Sequence, residues 1–398
     1  MKKPAIILAL SIINLLCSAA QNVMPWKMKD LNAVPAVYDG AGYATNGVKG
    51  LFFEGVPFKG KPTRVFAYYG IPEGASAKKK VPAMVLVHGG GGSAFHRWVK
   101  MWVDRGYAAI SMDTCGAISG NGYNNHKRHD FSGPAGWGDF TGVDKPIEDQ
   151  WTYHAVAAVT RAHSLLRSWE GVDADRIGIT GISWGGYLTC ISASVDKRYK
   201  FAAPVYGCGF LGDKSAWVGT FKKMGEEKSA KWLGLWDPSV YLSRAEMPFM
   251  WVIGTNDFAY PMDSLKKCYN LVQTPVTLCM RPRMVHGQWQ GAEPEEIYAY
   301  AEHFLRAKPA LPEISSVKRD NFKVDVTYNP HDRKIEKTVF NYTCATGNWK
   351  KREWKELPAV MIPGESRIEA QIPECATVWY VNLFTDDGLV VSTVHEEM

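Results

Sequence analysis

Between Val48 and Ile71 apolar and polar residues alternate, interrupted once by Gly60-Lys61-Pro62-Thr63, and this pattern predicts an antiparallel hairpin. Short apolar runs follow at Ala83–Val87, Tyr107–Met112, Ile177–Thr180, Phe201–Val205, Phe249–Ile253 and Val276–Met280. Between them apolar residues recur at helical spacing over Phe95–Arg105, Asp149–Ser168, Leu188–Val195, Met262–Leu271 and Pro294–Ala307. Strand-like runs alternating with amphipathic helices predict an α/β fold: a doubly wound, mostly parallel sheet covered on both faces. Two stretches break the alternation. Residues 115–144, rich in Gly, Asn and His, read as a long loop leaving a strand's C-terminal end. Residues 209–241 carry Trp217, Trp232 and Trp236 among charges and read as a short helical cap. Long loops in a compact domain tend to serve a site. After Pro309-Ala310-Leu311-Pro312 the pattern changes to short β-type runs, Phe322–Tyr328, Lys337–Tyr342, Thr377–Phe384 and Leu389–Thr393, which predict a small β-sandwich.

The first twenty residues read as a secretion signal. Lys2 and Lys3 supply the positive start, Ala5 to Leu16 the apolar run, and Ser18-Ala19-Ala20 a small-residue cleavage site before Gln21. The apolar run is too short to span a bilayer. Cys17 raises lipid anchoring as a second option, but the bulky Leu16 before it disfavours that route. The expected layout is therefore a signal peptide over 1–20, an α/β domain over 21–311 and a β-sandwich over 312–398, with the mature chain periplasmic or extracellular.

Hydrophobic residues at 46% against 22% charged are enough to fill a sizeable core. Two charges of the formal net +6 belong to Lys2 and Lys3, and no basic run exceeds Lys78-Lys79-Lys80, so nucleic-acid binding has no support. The cysteines after Cys17 show no metal-ligand spacing. Cys344 and Cys375 both fall in the β-rich tail and would be free to pair in an oxidising compartment; Cys190 and Cys208 lie in apolar surroundings, as buried small hydrophobes do.

The most telling stretch is Gly181-Ile182-Ser183-Trp184-Gly185-Gly186, between a strand-like run and a helix-like one. A tight strand-to-helix turn leaves no room for a Cβ two residues either side of its apex, and both places are glycine. Such a turn presents the Ser183 hydroxyl at a helix N-terminus. A serine hydroxyl is a weak nucleophile and needs a base, a group that orients the base, and donors for the developing oxyanion. Val85-Leu86-Val87-His88-Gly89-Gly90-Gly91-Gly92 is a strand ending in a loop almost free of side chains. With the Trp184 N–H it would form an oxyanion hole, Gly90 or Gly91 being the second donor. It lacks the Lys-Ser/Thr ending of a phosphate-binding loop. The acid is expected just past Phe249–Ile253, at Asp257, with Asp263 as runner-up because it reads as a helix N-cap. The base is expected after the last strand, at His286 in Met284-Val285-His286-Gly287. The order Ser, Asp, His is the α/β-hydrolase order.

His88 reads as a support for the oxyanion loop, whereas His126 and His129 read as solvent-facing loop residues. His154 and His163, on one predicted helix, do not suggest a metal pair, and no metal or organic cofactor is implied. Fifteen tryptophans are many. Trp98, Trp102 and Trp251 fit the core, while Trp137, Trp217, Trp232, Trp236 and Trp289 fall near the expected site. Of these, Trp137, Trp217, Trp236 and Trp289 are the candidate substrate contacts. As a group they favour a bulky ring-shaped ligand such as a sugar.

On these motifs, the stretch from about Val81 to Leu305 resembles the α/β-hydrolase superfamily. It looks like the secreted bacterial acetyl xylan esterase and dienelactone-hydrolase-related group, similar in turn to the catalytic domain of prolyl oligopeptidases. The resemblance implies Ser183 as nucleophile, Asp257 as acid and His286 as base. Two departures stand out: dienelactone hydrolases proper have cysteine where Ser183 stands, and the N-terminal segment has no room for a prolyl oligopeptidase propeller. The tail is similar in pattern to that of PhoPQ-regulated pathogenicity-related hydrolases. The expected function is an exported serine hydrolase cleaving acetyl esters on plant-type carbohydrates. One alternative is an exopeptidase or amidase with an amine anchor in Asp130–Asp144. Another is an idle carbohydrate-binding protein on the same scaffold.

Overall fold

The computed structural model describes residues 24–120, 124 and 126–398. The predicted signal segment, Cys17 included, lies outside the described residues. Among the described residues no helix is long and apolar enough to cross a membrane.

An antiparallel lead-in is formed by β1 (Val37–Asp39), β2 (Lys49–Glu54) and β3 (Arg64–Gly70), with Lys49 opposite Tyr69 in the expected hairpin. Next come β4 (Val81–Val87) and β5 (Ala108–Met112), then a short hairpin of β6 (Ala117–Ile118) and β7 (Lys127–Arg128) inside the long loop. The central strands are β8 (Val172–Ile182), β9 (Ala202–Val205), β10 (Phe249–Gly254) and β11 (Val276–Arg281). In the sheet they run β5-β4-β8-β9-β10-β11, all parallel. Apart from the first half of β8 and the ends of β11, their side chains are almost wholly buried on both faces, as continuous apolar strands under helices require. The covering helices are His96–Asp104, Trp151–Ser168, Trp184–Val195, Met262–Tyr269 and Glu295–Arg306, close to the expected spans. Residues 209–241 carry two more, Val218–Met224 and Glu226–Trp236.

The C-terminal region is antiparallel and made of two sheets. Strands β12 (Glu313–Asp320), β13 (Lys323–Asn329), β16 (Val360–Met361) and β17 (Arg367–Gln371) form one, in the order β12-β13-β17-β16. The other holds β14 (Ile335–Thr343), β15 (Lys355–Pro358), β18 (Val378–Thr385), β19 (Val390–Ser392) and β20 (Glu396–Glu397). Val324, Val326 and Ile368 of the first pack against Phe340, Trp379, Val381 and Leu383 of the second. The inner positions alternate along β13, so a period of two builds the core. Cys344 and Cys375 are joined by a disulfide.

The join between the two regions was not expected from the sequence. The second sheet is continuous with the parallel one, because β19 pairs antiparallel with β11 at Leu278 and Ser392. Three buried polar contacts close the seam. The Met280 N–H donates to Ser392 Oγ (2.8 Å), Ser392 Oγ donates to Asn382 Oδ1 (2.6 Å), and Asn382 Nδ2 donates to the Met280 carbonyl (3.1 Å). Glu296, fully buried on the last helix, accepts from the Val390 N–H (2.8 Å) and pairs with Arg281. Trp349, Trp354 and Tyr380 of the tail accordingly belong to the same core as the parallel sheet. The tail is welded on.

Burial also sets how the fold responds to acid. It pushes the His154 imidazole down to about 4, and burial with the nearby Lys266 ammonium pushes His395 down to about 3. Both groups are neutral in the folded state well below their unfolded value of about 6.5. The unfolded chain then binds more protons, so this contribution is complete above pH 6.5 and is lost as pH falls towards 4. Each histidine removes about 1.4 kcal/mol per pH unit in that window. The thermal midpoint should drop clearly between pH 7 and pH 4.5; a flat midpoint over that range would contradict the assignment.

Candidate active site

The chemistry-bearing side chains sit at the C-terminal ends of adjacent parallel strands, where open α/β sheets present ligands. Ser183 follows β8, Tyr206 follows β9, Asp257 follows β10 and His286 follows β11. Ser183 has φ 59° and ψ −118°, a conformation that costs roughly 1–3 kcal/mol for a residue with a Cβ. Its backbone is fixed on both sides. Its N–H donates to the Val205 carbonyl (2.9 Å), and its carbonyl accepts from the Tyr187 N–H (2.9 Å). Helix Trp184–Val195 starts at the next residue, so its unpaired N-terminal N–H groups and positive dipole end lie beside the hydroxyl. The turn closes only because its flanks lack side chains. A Cβ at Gly185 would stand 1.9 Å from the Val87 carbonyl oxygen, and one at Gly181 would stand 2.2 Å from the Gly185 oxygen.

Asp257 and His286 are joined: the Nδ1–H of the imidazole donates to Asp257 Oδ2 at 2.6 Å. The other carboxylate oxygen accepts from the backbone N–H groups of Ala259 and Tyr260, each at 2.8 Å. The carboxylate is buried and the imidazole nearly so, so the pair is little screened by water. The tautomer this enforces leaves Nε2 with its lone pair. The ring lies over Tyr206, centroids 4.6 Å apart, and Phe258 tilts against it at 4.8 Å. Tyr206 also donates its hydroxyl to the Val285 carbonyl (2.8 Å), and burial keeps that hydroxyl protonated. A residue at the end of the strand next to that of Ser183 thus supports the imidazole. Among the described residues no hydrogen bond joins Ser183 Oγ to the imidazole.

The glycine strip lies beside Ser183. A Cβ at Gly89 would fall 3.1 Å from the Ser183 Cβ, and one at Gly90 would fall 2.7 Å from the Trp184 ring and 3.7 Å from Trp137. His88 is fully buried beneath the strip. Its Nε2 accepts from the Thr114 N–H (3.0 Å), which puts the proton on Nδ1, from where it donates to the Gly89 carbonyl (2.8 Å). Burial holds this imidazole below its ordinary pKa, in keeping with the neutral tautomer. Asp113, at the end of β5, ties the same region together by accepting from Ser93 Oγ and from the Cys115 and Ala117 N–H groups. The long loop leans on the strip from outside, since the Asn124 N–H (2.8 Å) and His126 Nε2 (3.0 Å) both reach the Gly91 carbonyl.

Several sequence expectations change. His126 holds the glycine strip rather than facing solvent, and His129 is half-buried edge-on to Phe52. Asp263 is not the helix cap: Pro261 occupies that place, and the Asp263 carboxylate binds the Ser264 N–H (2.9 Å) and Lys214 (2.6 Å), away from His286. Trp236, offered as a substrate contact, is in the core with its indole N–H on Gln150 Oε1 (2.7 Å), and Trp232 is likewise buried on Gly138. Trp137, Trp217 and Trp289 keep partly open faces. Trp217 packs on Trp184 (4.6 Å), and Trp289 packs edge-on to Phe95 beneath the Arg97 guanidinium. Tyr206 and Asn124 were missed, since their roles follow from contacts across strands and loops and not from local motifs.

The parallel sheet with its helices, and functional side chains gathered at the strand ends, are those of an α/β hydrolase. The chain belongs to the acetyl xylan esterase (AXE1) family, whose sequence model matches residues 42–303, and it is a carboxylic-ester hydrolase of the serine type. The fold is similar to the acetyl xylan esterase from Paenibacillus sp. R4, with a TM-score of 0.56 and 21% identity over 72% of this chain and 99% of that one. It is also similar to acetyl xylan esterase 1 from Thermoanaerobacterium sp. JW/SL YS485, with a TM-score of 0.53 and 17% identity over 71% of this chain and 94% of that one. The acylaminoacyl peptidase of Pyrococcus horikoshii shares the fold at a TM-score of 0.50 and 18% identity, over 66% of this chain and 43% of its own. The family match ends before β12, so the C-terminal sheets lie outside it.

Proposed function

We propose that the protein is an exported serine esterase that removes acetyl groups from plant-type polysaccharides or oligosaccharides. What supports this reading is the Asp257–His286 hydrogen bond, whose imidazole stacks on Tyr206, one residue past the Val205 carbonyl that accepts from the N–H of the strained Ser183 turn. In this mechanism Ser183 Oγ attacks the ester carbonyl while His286 Nε2 takes its proton. The resulting imidazolium is held by Asp257 and returns the proton to the leaving sugar hydroxyl. Water then repeats the sequence and frees acetate. The Trp184 N–H with that of Gly90 or Gly91 holds the oxyanion, each such donor being worth about 3 kcal/mol in the transition state. Trp137, Trp217 and Trp289 supply flat faces for sugar rings beside this centre. Export follows from residues 1–20, with the catalytic unit over 21–311 and the β unit over 312–398.

The amidase alternative needs a free carboxylate to receive a substrate amine. In the loop named for it, Asp139 is paired with Lys145 and Asp144 with Lys228, which leaves Asp130, exposed at the start of that loop, as the carboxylate an amine would have to use. Purified protein is expected to release acetate from acetylated xylan or pectin and to leave aminoacyl anilides intact. Activity on the anilides without acetate release would overturn the substrate class.

A further inference from the structure

The loop bearing Asp257 is held from outside the hydrolase fold. The Asn256 amide nitrogen, one residue before the acid, lies within hydrogen-bond distance of three backbone carbonyls of the C-terminal tail, at Trp349 (3.3 Å), Lys350 (3.1 Å) and Arg352 (2.7 Å). These belong to a single turn of 3-10 helix, Trp349–Lys351, and the residue that ends it; the Trp349 carbonyl also accepts from the Arg352 N–H (3.2 Å), whereas the carbonyls at the end of such a turn have no donor within it. The turn is itself well fixed. Asn348 Oδ1 caps it at the Lys350 N–H (3.0 Å), the Arg352 guanidinium binds the Gly347 carbonyl (3.0 Å) and lies over the Trp349 ring, and Trp349 is buried in the main core. On the other side, Asn256 Oδ1 accepts from the Thr255 hydroxyl (2.8 Å). That hydroxyl in turn accepts from the Arg283 N–H (2.9 Å), at the start of the loop that carries His286. One unbroken set of hydrogen bonds thus runs from the tail, through Asn256 and Thr255, to both loops of the acid–base pair.

We infer that Asn256 is a positioning residue through which the C-terminal turn Trp349–Arg352 sets the geometry of Asp257 against His286. The inference rests on the Ser183–His286–Asp257 reading above. It gives the tail a part in catalysis: the enzyme's acid is aligned by a segment beyond the family match. A polar amide is needed at position 256 because its NH₂ group can serve several carbonyls at once, while a carboxylate there would be repelled by all of them.

The groups facing the His286 ring are Asp257, the stacked rings of Tyr206 and Tyr260, and Phe258, whose outer face carries the Lys350 ammonium at 5.7 Å. Of these, Asp257 alone bonds the imidazole, so loosening it weakens the hold on the imidazolium that forms when Ser183 gives up its proton. The test is steady-state kinetics of the full chain on p-nitrophenyl acetate across pH, with four variants. Asn256→Ala is expected to lower kcat roughly 10- to 100-fold with KM unchanged, the size seen when reacting groups are slightly misplaced, and to move the acid limb of kcat/KM to lower pH. Asn348→Ala, an exposed change confined to the turn, should move both quantities in the same direction by less, and it carries the test should Asn256→Ala fold poorly. Lys318→Ala, an exposed change on β12 outside the turn, should match the parent. Wild-type kcat and pH profile in both asparagine variants would overturn the inference, as would a fall in kcat with no movement of the acid limb. Ser183→Ala separates the two levels. If it stays active, the catalytic reading itself fails; if it is inactive while the asparagine variants behave as wild type, only the role of the tail fails.

Discussion

Alanine in place of Ser183 is expected to lower kcat on any acetyl ester by roughly 10⁴- to 10⁶-fold, with little change in the thermal midpoint. The size follows from the site's construction. Without the hydroxyl, the base has no proton to remove and no acyl-enzyme forms, leaving only what binding and the oxyanion donors achieve with water. Stability should hold, because among the described residues Ser183 Oγ has no hydrogen-bond partner to lose and the side chain is only half-buried. A kcat within tenfold of the parent would exclude Ser183 as nucleophile.

The second large effect concerns the turn itself. Gly185→Ala should cost about 3 kcal/mol of stability, at the upper end of what overpacking usually does, and should abolish activity as well. The added methyl group would meet the Val87 carbonyl oxygen at 1.9 Å, the Val87 carbonyl carbon at 2.6 Å and the His88 oxygen at 2.7 Å. All three are backbone atoms of β4 and the start of the glycine strip, so no side chain can swing aside. Relief requires the helix to back away from the sheet, which moves Trp184 and its N–H from Ser183 and from Gly90 together. Differential scanning calorimetry alongside ester kinetics checks this. A Gly185→Ala variant with the parent's midpoint and kcat would show that the helix does not approach the sheet as described.

Much of the architecture was legible because the information is local. Continuous apolar runs such as Val85–Val87 and Phe249–Ile253 have no polar face and are too short for helices, so they read as inner strands between helices. The three candidate catalytic side chains could be nominated for a related reason: each stands at a strand-to-loop junction whose neighbours are unusual, the glycines around Ser183 above all. What escaped the sequence is what depends on distant partners. The three-residue strand Val390–Ser392 is too short to reveal that it pairs with β11 and joins two sheets. Asn256 looks like an ordinary turn residue, because its acceptors are backbone carbonyls 93 to 96 residues away, and backbone carries no side-chain signature. Trp236 shows the converse. An indole among charged residues reads as an exposed face, but helical spacing turned it inward onto Gln150.

The central claim is that Ser183 is activated by the His286–Asp257 pair, and covalent labelling tests it most directly. The purified protein would be treated with a fluorophosphonate, digested and mapped by mass spectrometry, in parallel with a His286→Ala variant. The account predicts one adduct per chain, on the peptide containing Ser183, formed in step with loss of esterase activity and nearly absent from the variant. An adduct on another residue, or full activity after Ser183 is labelled, would contradict it.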